Sequence, residues 1–102
     1  MTPPTFSLGA ALEVDLRSLD GHELARAVEW AAHAPRGASV TFEVARGQVP
    51  PHLALRYLCD HGRHLGTVQI RCSDPDSANR WLLALREAQA DSDAALEAEA
   101  GR

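Results

Sequence analysis

Four residues with metal-binding chemistry fall close together in the second half of the chain: Cys59, His61, His64 and Cys72. Thiolates and imidazoles are zinc ligands, and Cys-x-His-x-x-His followed by another cysteine offers four of them. The spacing argues against a shared ion. On one helix Cys59 and His61 point about 200° apart, because each residue turns the helix by about 100°. Cys72 shares the inward side of an alternating stretch with Val68 and Ile70. The cysteines read as small core residues, and His61 and His64 as surface or helix-end groups. No metal is assigned.

Covalent catalysis needs a nucleophile, a base and an orienting group. Ser18, Ser39 and Ser73 fall at turns, and no G-x-S-x-G nucleophile elbow is present. Ser73-Asp74 is better explained as a helix start. His52 is the single residue best placed for chemistry. It opens a helix after a strand, at the edge where open α/β sheets bind ligands. It has no partner base or nucleophile in its own stretch, so the chain is read as non-enzymatic. A small ligand-binding or enzymatic domain using His52 stands as the alternative. Phosphate chemistry is not indicated either. SLDGHEL and ARGQVPP each carry one glycine, unlike a Walker loop or a dinucleotide fingerprint. No cofactor is expected.

The elements that position these residues are legible from periodicity. Leu12, Val14 and Leu16 alternate with Glu13, Asp15 and Arg17, the mark of a half-buried strand. Asp20 with Glu23 three residues later fits a capping box, followed by Leu24, Ala27, Val28 and Ala31 on one helical face. Val40, Phe42 and Val44 make a second strand. Pro50 and Pro51 suit the first turn of a second helix, where a missing amide costs nothing. Ala54, Tyr57, Leu58 and Leu65 form its apolar stripe. Val68, Ile70 and Cys72 alternate in a third strand. Asp74 caps a third helix with Pro75 at its first position and Ala78, Trp81, Leu82 and Leu85 as its buried face. Thr5–Leu8 reads as an extra N-terminal edge strand.

The order βαβαβα argues for an α/β fold with a mostly parallel sheet and right-handed crossovers. A parallel sheet covered on both faces reads as continuous apolar runs, whereas these strands alternate strictly. The expectation is a two-layer sandwich with helices packed mainly on one face. The other face, with Glu13, Asp15, Arg17, Thr41, Glu43, Gln69 and Arg71, is left polar: solvent surface, or a dimer or partner interface. A small oligomeric structural subunit, pairing through that face or through its alanine-rich helices, is a second alternative. The chain divides into a disordered start at 1–4, one domain over 5–88, and an acidic, alanine-rich tail over 89–102 that is frayed or disordered.

With 102 residues the chain is one modest domain. Hydrophobic residues make up 45% and aromatics only 5%, so the core must be mostly Leu, Val and Ala. The net charge of −4 disfavours a nucleic-acid partner, which wants a basic face. No signal peptide pattern and no apolar run of about 20 residues is present, so no membrane span is expected. The expected setting is the cytoplasm, with two reduced thiols.

The pattern from Leu12 to Leu85 resembles the STAS domain, the fold of bacterial anti-sigma factor antagonists and sulfate transporter tails. LEVDLRSLDGHELARAVEWA is similar to the family's opening strand, turn and first helix, and SVTFEV to its central strand. HLALRYLCDHGRHLGTVQIRC resembles the next helix, glycine turn and strand, and DPDSANRWLLAL the terminal helix. The family's turn glycine falls on Arg17. Antagonists that switch by phosphorylation carry an Asp-Ser pair where the second helix begins; Val49-Pro50-Pro51-His52 stands there, with no hydroxyl between Gly47 and Tyr57. The resemblance implies a protein-binding module without the phosphoswitch, whose partner is an anti-sigma factor or kinase-like regulator. It makes the loop–helix junction the docking surface, with Arg46, Gln48, His52 and Arg56 as contacts. Arginines there can grip carboxylates bidentately.

Overall fold

The computed structural model describes residues 10–101. The edge strand expected over Thr5–Leu8 and the disordered start at 1–4 lie outside the described residues. Among the described residues six elements follow in strict alternation: β1 (Ala11–Asp15), α1 (Gly21–Ala31), β2 (Ser39–Glu43), α2 (His52–His61), β3 (Thr67–Arg71) and α3 (Pro75–Ala100). The three strands form one parallel sheet in the order β1-β2-β3. No helix among the described residues is long and apolar enough to cross a membrane.

Alternation decides which side of the sheet is covered. Val40 and Phe42 of the central strand are fully buried, and Leu12, Val14, Val68 and Ile70 of the outer strands pack against the same core. Leu24, Val28 and Ala31 of α1, Leu55 and Leu58 of α2, and Trp81 of α3 complete it. All three helices therefore cover one face, as the strand patterning requires, with α2 packed between α1 and α3.

The uncovered face is a registered polar grid. Glu13, Thr41 and Gln69 lie side by side, as do Asp15, Glu43 and Arg71. Arg71 reaches Glu43 at 3.3 Å and Glu13, two strands away, at 3.5 Å. Arg17 holds Asp15 with two side-chain bonds of 2.9 Å. These pairs are solvent-exposed and stabilise weakly, but opposite charges on neighbouring strands favour this register over a slipped one.

The local start signals operate largely as the residue types suggest. Asp20 accepts the amide of Glu23, and Asp74 accepts that of Ser77, with Pro75 in the first turn of α3. Two features differ from the sequence reading. The prolines stand ahead of α2 rather than within its first turn: Pro51 is the N-cap, and the helix begins at His52. A proline restricts the residue before it to extended backbone, so Pro51 holds Pro50 out of the helix.

The third helix differs more. It runs unbroken to Ala100 through the stretch expected to fray or lose order. Its buried face is Ser77, Trp81, Ala84, Ala88 and Ser92, with Leu82 and Leu85 only half-buried. Small residues facing α2 let the two helices approach closely, and that packing carries the contact past Leu85 as far as Ser92. Ser92 fixes the contact: its hydroxyl donates to Asp60 at 2.6 Å and accepts from Arg63 at 2.7 Å.

Candidate functional site

The segment from Val44 to Leu53 leaves the C-terminal end of the central strand and enters α2. Gly47 sits at φ 81°, a conformation that other residues adopt only with strain. Its amide donates to Ser77 Oγ at 2.9 Å, and Ser77 in turn donates to Asp74 at 2.7 Å. Gln48 binds in three directions. Its Nε2 donates to the carbonyl of Leu16 at 2.6 Å and more weakly to that of Leu19 at 3.3 Å. Its Oε1 accepts the Ala45 amide at 2.7 Å, and its own carbonyl accepts the indole N–H of Trp81 at 3.0 Å. The junction is thus tied to the β1–α1 turn on one side and to α3 on the other.

On this fixed backbone two apolar side chains point outward. Val49 is 73% exposed and Leu53 is 89% exposed. Arg46 and His52 are exposed beside them in sequence. His52 has no side-chain hydrogen bond among the described residues. Arg56 lies one turn further along α2 and pairs with Asp60 at 3.1 Å. Of the four contacts expected, Arg46 and His52 form no side-chain bond among the described residues, Arg56 is engaged below the junction with Asp60, and Gln48 is spent on holding the loop.

Val49 and Leu53 were not among the expected contacts, although a helical wheel points to Leu53. At about 100° per residue it stands opposite the buried face of Ala54, Leu55, Leu58 and Cys59. An apolar residue on the solvent side of an amphipathic helix is the signal.

The remaining reactive side chains are dispersed. Cys59 and Cys72 are free thiols, and burial pushes the Cys59 thiol up. His61 stacks on Tyr57 at 4.3 Å between ring centroids, and His64 Nε2 lies 2.7 Å from the carbonyl of Ala34. Tyr57 Oη and His33 Nε2 are hydrogen bonded at 2.8 Å. Among the described residues no three His, Cys, Asp or Glu side chains converge in a way that could hold a metal ion.

Comparison of the chain with protein-family models, with curated proteins and with solved structures finds no match.

Proposed function

We propose that the chain is a non-catalytic protein-interaction module, resembling an anti-sigma factor antagonist without the phosphoswitch, that docks through the junction between β2 and α2. The observation that carries this reading is the exposure of Val49, on a loop that Gln48 and Ser77 tie down, and of Leu53, in the first turn of the helix that follows it. Apolar anchors on a pre-ordered backbone lose little freedom on binding. Arg46 and His52 beside them suit a partner that sets carboxylates around an apolar pocket. The partner class is an anti-sigma factor or kinase-like regulator. Without a hydroxyl between Gly47 and Tyr57, such binding is not gated by phosphorylation of a serine, threonine or tyrosine within the junction.

The experiment is capture of partners from a lysate of the host with the intact protein, alongside its Leu53→Asp and Arg46→Glu variants. Recovery of a sigma-regulating protein by the parent, lost with both variants, supports the reading. Equal recovery by all three removes the junction from the interface. Recovery of further copies of the chain alone moves the reading to an oligomeric subunit.

A further inference from the structure

A concave site lies at the opposite end of the sheet from the junction. It is a groove of about 400 Å³ between the C-terminal end of α2, the start of β3 and the middle of α3. Its floor is apolar, built from Leu58, Cys59, Leu65, Val68 and Leu85. The groove arises because β3 is an outer strand and α3 leans toward α2. Val68 and Leu85 remain half-exposed where the equivalent central-strand residue, Val40, is fully buried.

The charge of this groove is opposite to that of the protein. The chain carries net −4 with 14 acidic residues, yet among the described residues no carboxylate lines the groove, while Arg63 and Arg86 both do. Arg63 is already answered: Asp93 takes one guanidinium nitrogen at 3.0 Å and Ser92 another at 2.7 Å. Arg86 forms no ion pair and no side-chain hydrogen bond among the described residues. An apolar trough with one uncommitted, fork-shaped cation at its rim has the two features that an amphipathic carboxylate needs. The hydrocarbon body is removed from water, and the head meets a guanidinium that can hold it with two bonds.

We propose that this groove binds a small carboxylic acid with an apolar body, of the short acyl or arylalkyl class, its carboxylate on Arg86 and its body against Leu65, Val68 and Leu85. The volume lies within the range of small-molecule sites, which pair an apolar lining with a few placed polar groups. The site is independent of the docking surface and stands or falls separately from it.

The test uses octanoate below its micelle-forming concentration, titrated into the full chain and followed by methyl NMR. Saturable shifts are expected at Leu58, Leu65, Val68 and Leu85, with Val49 and Leu53 unmoved. Octylamine, with the same tail and the opposite charge, is expected not to bind. Arg86 is exposed on a helix, so Arg86→Glu folds; it is expected to weaken octanoate at least about tenfold, the scale of a lost charge-assisted hydrogen bond. Arg80→Glu makes the same charge change outside the groove and is expected to alter affinity less than about twofold, as screened surface charge does. Absence of saturable shifts, equal binding of octylamine, or equal affinity in Arg86→Glu would each overturn the proposal.

Discussion

Trp81 and Gln48 lie 33 residues apart in sequence and are joined by a 3.0 Å hydrogen bond from the indole N–H to the Gln48 carbonyl. The indole fills the core and its one polar atom is answered by the loop that carries the exposed anchors. The core and the proposed docking surface therefore share a strut. Trp81→Ala is expected to cost about 3–5 kcal/mol, the range for emptying a large buried aromatic site. Trp81→Phe loses the hydrogen bond and the pyrrole ring but keeps a six-membered ring in the core, and is expected to cost less than Trp81→Ala. Urea unfolding measures both, and a Phe variant as unstable as the Ala variant would show that the retained ring contributes nothing.

Gln48→Leu leaves the carbonyl of Leu16 and the amide of Ala45 without their partner. A lost buried bond of this kind costs about 1–3 kcal/mol. The expected local signature is faster amide exchange at Ala45 while the strands stay protected. Unchanged exchange at Ala45 would show that water replaces the side chain at no cost.

Ser92 divides the last helix into a packed part and an overhang. Ending the chain after Ala94 retains Ser92 and is expected to change stability by less than about 0.5 kcal/mol, as for exposed positions generally. Ending it after Ala90 removes the bonds to Asp60 and Arg63 and is expected to lower the urea midpoint clearly. Equal midpoints would mean that the Ser92 contact contributes nothing.

Acid should weaken the fold in a defined window. Arg17 holds the Asp15 carboxyl at about 2, below its ordinary 3.8. The hydroxyl of Ser92 followed by Arg56 lowers Asp60, the hydroxyl and amide of Ser77 lower Asp74, and Arg63 followed by Gln89 lowers Asp93. Groups held low in the folded state contribute their stability above the unfolded value and lose it as pH falls through the folded one. The urea midpoint is therefore expected to decline as pH drops from the ordinary carboxyl value of 3.8 toward about 2. Added salt should shrink the Asp15 share, which is exposed and screened. In Ser92→Ala the Asp60 titration, followed by carboxyl NMR, moves up; an unmoved titration would leave Arg56 as its main partner.

The strands were legible because each has one dry and one wet face, so Val40 and Phe42 read against Thr41 and Glu43 without any knowledge of partners. The starts of α1 and α3 were legible because Asp20 and Asp74 act within three residues of themselves. The buried face of α3 was legible at Trp81 but not along the rest of the helix. Ala84, Ala88 and Ser92 are small or polar, and only the closeness of α2 makes them interior; Leu82 and Leu85 carried the louder hydrophobic signal and are the less buried. Gln48 was misleading for a related reason. A polar side chain in a loop reads as a surface contact, and nothing local shows that the carbonyl of Leu16 waits 32 residues back. Leu53 lay between these cases, visible on a wheel but masked by the apolar residues around it.

The register of the sheet has a kinetic consequence. Ala11 faces Ser39 and Ser39 faces Thr67, so both strand pairings among the described residues close a loop of 28 residues, and no hairpin among those residues seeds the sheet. Each ladder must wait for an entire crossover helix to be laid down and folded back. The chain should thus fold slowly for its size, with β2 unable to commit until one neighbour arrives and the second edge exposed until the other does. In a nascent chain that interval is the period in which the apolar side of Val40 and Phe42 is open to the wrong strand.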